Sequence, residues 1–244
     1  MSVELILGDC LEIMRGMADK SVDAVITDPP YGIDYQSARR TDKSQWKPKI
    51  KNDDAPFLDW LPDAYRITKD GGALLCFCRW DVEQEFKKAI ESAGFSIKSQ
   101  VIWDKSIHGM GDLESSFAPR HENIWFATKG NFIFPGIRPQ SIIKIPRVSA
   151  EKLLHPNEKP QALFHVLARS VVLNGGIFCD PFFGSGASAI GAIHAKLNYI
   201  GIEIDPDYFK IAERRIAEAQ LQPMLFDHKE IEPKQGNLYQ EKGD

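Results

Sequence analysis

The 244-residue chain is predicted to form an α/β domain in which helices flank a mainly parallel β-sheet. Short hydrophobic runs of strand length alternate with amphipathic runs of helix length, which is typical of a parallel sheet covered on both faces. Hydrophobic residues make up 43% and charged residues 26%, as in ordinary globular domains, so disorder, collagen and coiled coils are excluded. No run approaches 18 apolar residues and no signal peptide is recognisable, so we expect a cytoplasmic protein without a membrane span. The four cysteines have no metal-binding or disulfide spacing, and no metal is expected.

The individual elements follow from the periodicity of the apolar residues. Seven short apolar runs are predicted strands: Glu4–Leu7, Asp23–Thr27, Ala73–Phe77, Ile97–Trp103, Asn123–Ala127, Gly176–Cys179 and Asn198–Ile202. Five runs with helical spacing are predicted helices: Leu58–Ile67, Val82–Ala93, Pro160–Val172, Ala187–Ala195 and Tyr208–Ala219. We expect one domain over residues 1–220, with polar insertions at 32–56 and 130–154 and a flexible polar tail at 221–244.

The charge is unevenly distributed along the chain. The formal net charge is −4, yet residues 36–51 hold six basic residues and one acid, and residues 129–152 hold five and one. Two basic stretches on an acidic body are typical of a nucleic-acid-binding protein with a local contact surface. Either stretch alone also suits a solvated loop.

The sharpest motif is Asp28-Pro29-Pro30-Tyr31, which follows a predicted strand. Ligands of α/β proteins bind at this end of the strands. Because the two prolines lack N–H groups and hold the chain extended, the strand end offers a carboxylate, free carbonyl groups and an aromatic ring. This combination suits a planar group that bears an NH2. The structural alternative is a strand end closed by a rigid Pro-Pro turn.

A second motif follows another predicted strand and opens a helix: Asp180-Pro-Phe182-Phe-Gly184-Ser185-Gly186-Ala-Ser188. Its glycines allow close approach of a ligand to the backbone, and Glu203, nineteen residues after Gly184, suits the hydroxyls of a ribose. No lysine follows the glycines, which excludes a phosphate-binding P-loop. A dinucleotide and S-adenosyl-L-methionine remain. A dinucleotide would leave Asp28–Tyr31 unexplained, whereas a methyl donor explains both motifs together.

In kind and order these motifs resemble those of the amino-methylating DNA methyltransferases of the β order, from about Leu5 to Ala219. In that family the Asp-Pro-Pro-Tyr motif precedes the target-recognition segment, and the Phe-x-Gly-x-Gly motif comes last. Gly8-Asp9-Cys10-Leu11 is similar to the motif for the cofactor adenine. His155-Pro-Asn-Glu-Lys159-Pro160 is similar to a signature beside the methionine end. Trp103-Asp-Lys105 and His121-Glu-Asn-Ile-Trp125-Phe match lesser motifs.

The resemblance implies the S-adenosylmethionine-dependent methyltransferase fold, with a seven-stranded sheet and a circularly permuted motif order. It implies methylation of adenine N6 in a short sequence of double-stranded DNA, with base flipping, as in restriction-modification. The implied catalytic residues are Asp28, Pro29, Pro30 and Tyr31. The implied cofactor-binding residues are Asp9, Cys10, Asp28, His155, Lys159, Asp180, Phe182, Gly184, Ser185, Gly186, Ser188 and Glu203.

Three alternative functions remain at this point. Cytosine N4 is the nearest, although relatives that methylate cytosine more often carry Ser where this chain has Asp28. The second is a catalytically idle nucleic-acid-binding module that keeps the fold. The third is a nicotinamide-dependent oxidoreductase built on the glycine motif.

DNA contacts are expected from the two basic insertions. Gly130–Leu154 is the candidate recognition segment, and Gln36–Lys51 is a candidate arm that closes on DNA. The expected contact residues are Arg39, Arg40, Lys43, Lys47, Lys49, Arg138, Gln140, Lys144 and Arg147. So small a recognition segment suggests a short site or the help of a second subunit, and members of the family are often homodimers.

The tail contains Gln222-Pro-Met-Leu225-Phe226, which resembles the short peptides by which bacterial DNA enzymes dock on the sliding clamp. A peptide with a Gln anchor and a Leu-Phe pair could fill an apolar groove. The more ordinary alternative is that these apolar residues pack on the enzyme itself or on a second subunit.

Overall fold

The computed structural model of the protein describes residues 1–32, 55–109, 114–148 and 158–221. The five basic residues predicted in the arm (Arg39, Arg40, Lys43, Lys47 and Lys49), His155 and the tail peptide Gln222–Phe226 lie outside these ranges. No helix within them is both long and apolar enough to cross a membrane.

The described ranges contain eight strands and six helices. The strands are β1 (Val3–Leu7), β2 (Val22–Thr27), β3 (Thr68–Cys78), β4 (Ser96–Asp104), β5 (His121–Thr128), β6 (Ile142–Lys144), β7 (Ile177–Asp180) and β8 (Asn198–Glu203). The helices are α1 (Cys10–Gly16), α2 (Leu61–Ile67), α3 (Glu83–Ser92), α4 (Gln161–Val171), α5 (Ala187–Ala195) and α6 (Pro206–Leu221).

The strands form one sheet in the order β1-β8-β7-β2-β3-β5-β4-β6. All neighbours are parallel except the two pairs that β5 makes with β3 and with β4. The prediction of a mainly parallel sheet is therefore confirmed. Because β5 alone runs in the opposite direction, its first residues lie at the same edge as the last residues of the other strands.

Each face of the sheet packs against three helices. Alternate residues of β3 point to opposite faces, so Leu75 and Phe77 pack with α4, α5 and α6, whereas Leu74 and Cys76 pack with α1, α2 and α3. These side chains are at most 2% exposed. Burial on both faces explains why the central strands are continuous apolar runs rather than alternating ones.

The structure corrects two predictions about the elements. The sheet has an eighth strand, β6, inside the insertion that was predicted to be a loop, where three residues pair with the end of β4. The helix α1 was missed because the seven residues of Cys10–Gly16 are too short to show helical periodicity. The seven predicted strands and five predicted helices are present, with bounds shifted mostly at their first residues.

Candidate active site

Three acids lie at the carboxyl ends of three neighbouring strands. Asp28 follows β2, Asp180 ends β7 and Glu203 ends β8. Because β8, β7 and β2 are adjacent and parallel, their carboxyl ends meet at one edge of the sheet. The structure thus brings together the two motifs that the sequence separates by about 150 residues.

The Asp28 carboxylate lies at one end of a chain of four alternating charges. The ammonium of Lys159 lies 2.5 Å from Asp28 Oδ2 and 3.2 Å from Glu122 Oε2. Lys105 donates to the other oxygen of Glu122 at 2.7 Å. Lys159 is 6% exposed and its ammonium lies 5.4 Å from the centroid of the Phe77 ring. Two carboxylates and two ammonium groups therefore balance in a largely dehydrated site.

Burial and this charge chain act on the pKa of Asp28 in opposite directions. Burial raises the pKa of Asp28 to about 6, and the nearby Glu122 carboxylate adds to the rise, while Lys159 opposes both. The two carboxylates outweigh burial and raise the pKa of Lys159, so this ammonium stays charged. The partial burial of Glu122 favours its protonation, but Lys159 and Lys105 lower its pKa overall. At neutral pH, Asp28 is consequently ionised and acts as a hydrogen-bond acceptor.

Tyr31 closes over this carboxylate. Its hydroxyl donates to Asp28 Oδ1, and its ring meets Phe86 edge to face, with the ring centroids 6.1 Å apart. The backbone of Tyr31 forms a bridge with Pro56, and Phe57 N donates to the Pro30 carbonyl at 3.2 Å. The aromatic ring predicted as a stacking platform is thus tied to the carboxylate through its hydroxyl. The buried Pro29 lies between Asp28 and the residues Pro30 and Tyr31 that make these contacts.

The glycine turn between β7 and α5 depends on Glu203. Gly184 and Gly186 have φ angles of +56° and +87°, which residues with a side chain rarely adopt. Glu203 accepts from Gly184 N at 2.9 Å and from Asp205 N at 2.8 Å. At Gly186 a Cβ atom would also lie 3.0 Å from the Cβ of Ala212. The carboxylate therefore fixes the turn as well as facing the neighbouring cleft.

A buried polar network supports the same turn from below. Asp180 Oδ1 accepts from Thr27 Oγ1 at 2.6 Å and from Phe182 N at 3.1 Å, and burial raises the pKa of Asp180 to about 6. Ser188 and Tyr199 share a hydrogen bond of 2.8 Å. Asp180 and Ser188, both predicted to bind the cofactor, are each 1% exposed. In this structure they contact protein groups beneath the turn.

A cleft opens beside the turn, between the ends of β1, β2, β7 and β8. Its walls combine apolar groups with two acids and are formed by Gly8, Asp9, Cys10, Pro30, Phe57, Pro181, Phe182, Glu203 and Ile204. Asp9 caps α1 by accepting from Leu11 N at 2.8 Å. Phe182 packs edge to face on Phe57 and Trp60, with centroid distances of 5.9 and 5.6 Å. An aromatic, acid-bearing cleft of this kind suits a nucleoside.

Arg215 on α6 joins the glycine turn to the segment that carries Lys159. Its guanidinium donates to the carbonyl and hydroxyl of Ser185 at 2.6 and 2.9 Å. The same group lies 2.5 Å from Glu158, and the two side chains are 12% and 4% exposed. Sequence reasoning missed this residue, since helical periodicity selected only the apolar face of α6.

Sequence reasoning also gave no role to Lys105 and Glu122. Both lie inside lesser motifs, Trp103-Asp-Lys105 and His121-Glu-Asn-Ile-Trp125-Phe. The available signal was a charged residue next to the expected end of a strand. To infer from this signal that Glu122 lies near Asp28, one needs the direction of β5, which the sequence does not show.

The four described candidates for DNA contact are exposed: Arg138, Gln140, Lys144 and Arg147. Lys144 ends β6 and pairs in register with Asp104 at the end of β4, so it lies at the same edge of the sheet as Lys105. Arg147 follows it, whereas Arg138 and Gln140 precede β6. The edge strand β6 therefore places one of these residues, Lys144, at the end of the sheet where Asp28 lies.

Comparison with known proteins gives a family match over most of the chain. Residues 22–214 match the DNA methylase family model for amino methylation at N6 or N4. YubD of Escherichia coli (strain K12) is 29% identical over 220 residues, which cover 88% of this chain and 90% of YubD. The Type II methyltransferase M.HpaI from Haemophilus parainfluenzae is 25% identical over 240 residues, which cover 88% of this chain and 74% of M.HpaI.

Solved structures show the same fold. The structure of M1.HpyAVI in complex with SAM aligns with a TM-score of 0.68 and 22% identity, covering 87% of this chain and 99% of that one. The PvuII DNA methyltransferase, which is cytosine-N4-specific, aligns with a TM-score of 0.69 and 16% identity, covering 90% and 91%. The predicted methyltransferase fold is confirmed.

Proposed function

Because the chain belongs to the DNA methylase family that acts on adenine N6 or cytosine N4, we propose that it transfers a methyl group from S-adenosyl-L-methionine to adenine N6 in double-stranded DNA. The observation that carries this proposal is the position of the Asp28 carboxylate, which follows β2 at the edge where the cleft opens and pairs with the buried ammonium of Lys159. The choice of adenine depends on Asp28, because related cytosine enzymes more often have Ser at this position. PvuII DNA methyltransferase is cytosine-N4-specific and shares the fold, so N4 is the second candidate.

The residues that line the cleft have the chemistry that the nucleoside half of this cofactor needs. Phe57, Phe182 and Ile204 supply apolar surface for an adenine ring, while Asp9 and Glu203 supply acceptors for N–H and O–H groups. Each carboxylate oxygen of Glu203 accepts one backbone hydrogen bond, which leaves a second lone pair for a ribose hydroxyl. When bound, the cofactor supplies an electrophilic methyl group. Gly184 and Gly186, with Ser185 fixed by Arg215 between them, would let the cofactor lie close to the backbone of the turn.

Within this proposal, Asp28 and the carbonyl of Pro29 accept the two N–H groups of the target amino nitrogen. The nitrogen is a poor nucleophile because its lone pair is delocalised into the ring. Acceptors on its hydrogens weaken that conjugation and stabilise the positive charge that develops on the nitrogen. Preorganised groups of this kind are commonly worth about 3 kcal/mol each in a dry site. Asp28 is ionised above a pH of about 6, so it serves as an acceptor at neutral pH.

Tyr31 takes part in admitting the base. The base must leave the duplex to reach Asp28, at a cost of a few kcal/mol that stacking offsets in part. For Tyr31 to stack on the base, its hydroxyl would release Asp28 Oδ1. The ring then faces the same space as the freed carboxylate oxygen.

The test is transfer of tritium from labelled S-adenosyl-L-methionine to unmethylated duplex DNA, followed by digestion to nucleosides. We expect labelled N6-methyladenine from the wild type and a loss of at least about 100-fold in Asp28→Ala. Asp70→Ala is the matched control, because Asp70 forms an exposed ion pair with Lys20 and such pairs contribute little. Labelled N4-methylcytosine would instead assign the activity to cytosine N4. No label in DNA of varied sequence would refute the proposal.

DNA recognition is proposed for residues 130–154 with the arm at 36–51. The support is the exposure of Arg138, Gln140, Lys144 and Arg147, and the position of Lys144 at the Asp28 edge. Phosphate contacts by the two arginines and the lysine would fix the duplex, and base contacts would select the site. Exchange of residues 130–154 for the segment of a relative should change the methylated sequence. An unchanged target after that exchange would refute this assignment.

A further inference from the structure

We propose that Lys159 is a positioning residue for Asp28 rather than a contact of the cofactor. Its ammonium would hold the carboxylate ionised and correctly oriented, and Glu122 and Lys105 would hold the ammonium in turn. This inference deepens the proposed function, on which its activity readout rests. It departs from the role that family resemblance implies for Lys159.

The contacts of the ammonium support this role. Lys159 lies 2.5 Å from Asp28 Oδ2 and 3.2 Å from Glu122 Oε2, above the ring of Phe77. An ammonium has three donors, and two of them are directed at these carboxylates. The nucleoside cleft is lined by other residues, and among its described walls Lys159 does not appear. The positive charge of Lys159 therefore acts on Asp28, at the proposed base site, rather than on the cleft.

Burial explains why Asp28 needs this partner. The Lys159 side chain is 6% exposed and that of Asp28 is 19% exposed, so water screens their attraction weakly. Without the ammonium, Asp28 would keep its burial and the repulsion of Glu122. Both effects favour the neutral acid, which can no longer accept an N–H at both oxygens.

Glu122 has a double effect on the site. It holds Lys159 and Lys105 through its two oxygens, and its negative charge also raises the pKa of Asp28. Neutralising Glu122 should therefore act on Asp28 in the opposite direction to neutralising Lys159. This opposition separates an electrostatic role from a general loss of structure.

The other groups that interact with Asp28 are few among the described residues. Tyr31 donates to it, and Asp180, Cys76 and Cys78 lie close enough for their pKa values to respond to its charge. Burial raises the pKa of both thiols, to about 12 for Cys78 and well above the ordinary value for Cys76. Both thiols are neutral over the working range. Lys159, Glu122 and Lys105 therefore dominate the titration of Asp28.

The experiment compares the pH dependence of methyl transfer in Lys159→Met, Lys159→Arg and Glu122→Gln. An opposite charge at this distance commonly shifts a carboxyl pKa by about 1–3 units. The acidic limb of wild-type kcat/KM, which reports the titration of groups in the free enzyme, should lie near pH 6. It should rise by about 1–3 units in Lys159→Met, fall in Glu122→Gln, and stay near the wild-type position in Lys159→Arg. The Lys159→Met enzyme should therefore recover activity at pH 9.

Two further measurements keep the inference separate from the proposed function. The Asp28 carboxyl can be titrated directly by 13C NMR in protein without DNA, with Asp28→Asn to assign its signal. Calorimetry gives the dissociation constant of S-adenosyl-L-methionine, which should change less than threefold in Lys159→Met at pH 9. Lys98→Met, at an exposed lysine on β4, is the matched control.

The outcomes are distinct. An Asp28 titration that rises in Lys159→Met and falls in Glu122→Gln supports the inference even if no DNA base is methylated. An unmoved titration in folded Lys159→Met would overturn it, as would a tenfold or greater loss of cofactor affinity at pH 9 with the acidic limb unchanged. If Lys159→Met does not fold, Glu122→Gln and Lys159→Arg decide by the same titration, and an unmoved signal in Glu122→Gln overturns the inference.

Discussion

Replacing Glu203 with alanine should weaken both the fold and cofactor binding, because one carboxylate serves both. It accepts from Gly184 N at 2.9 Å and from Asp205 N at 2.8 Å, and its side chain is buried. Hydrogen bonds to a charged group contribute roughly 1.5–3 kcal/mol each, so losing both would cost about 3–6 kcal/mol. Burial also raises the pKa of Glu203, which means that burying the charge already costs free energy. We therefore expect the lower end of that range.

The assay is thermal unfolding together with calorimetric titration of the cofactor. A loss of about 3 kcal/mol corresponds to a fall in Tm of roughly 6–12 °C for a chain of this size. The cofactor dissociation constant, measured where the variant is folded, should rise by about tenfold or more, as expected for loss of a charged acceptor. Glu213→Ala is the control, since Glu213 lies exposed on α6 and changes the net charge equally.

Each half of this reasoning can fail separately. A Tm within 2 °C of the wild type would refute the structural role of the two backbone hydrogen bonds. An unchanged cofactor dissociation constant, with a lowered Tm, would refute the ribose assignment and leave Glu203 as a brace for the glycine turn. Glu203→Gln should fall between, because its amide can accept from only one of the two N–H groups.

Three other predictions concern stability. Burial raises the pKa of Asp180 to about 6 from 3.8, so its contribution to stability is present at low pH and is lost as the pH rises through about 6. Asp180→Asn should remove this dependence and raise Tm at pH 8 but not at pH 4, and an equal change in Tm at both pH values would contradict this. Arg215→Met should cost about 3–5 kcal/mol by breaking a buried ion pair and should weaken cofactor binding through Ser185; equal melting of Arg215→Met and the exposed control Arg214→Met would contradict this. Removal of residues 222–244 should lower Tm by several degrees if Leu225 and Phe226 pack on the enzyme, since burying each contributes about 2 kcal/mol; an unchanged Tm with loss of sliding-clamp binding would show docking instead.

The sequence predicts most of the sheet because its central strands are buried on both faces. Asp23–Thr27 and Ala73–Phe77 are apolar runs of strand length that lie within β2 and β3, and Gly184 and Gly186 mark the turn after β7. The short β6 escapes prediction because Ile142–Lys144 becomes a strand only by pairing with β4. Tertiary pairing decides such an edge strand, and local propensity does not.

The candidate site is predictable to the extent that its residues end strands. Asp28, Asp180 and Glu203 each follow an apolar run, so their meeting at one edge follows from a parallel sheet. The sequence does not show that Asp180 and Ser188 lie beneath the turn, since a glycine motif is compatible with side chains that face either the ligand or the core. Whether such a side chain faces the ligand or the core depends on partners such as Thr27 and Tyr199.

The charge chain shows most clearly what sequence reasoning lacks. Lys159 and Asp28 are 131 residues apart, and no local pattern links them. Glu122 reaches the same site because β5 runs antiparallel to its neighbours. The first residues of β5, rather than its last, therefore lie at the edge where Asp28 follows β2. An all-parallel reading of the sheet would place Glu122 at the opposite edge, remote from the base site. The direction of this one strand therefore determines whether the Asp28 carboxylate stands alone or is paired with a lysine that has its own counterion.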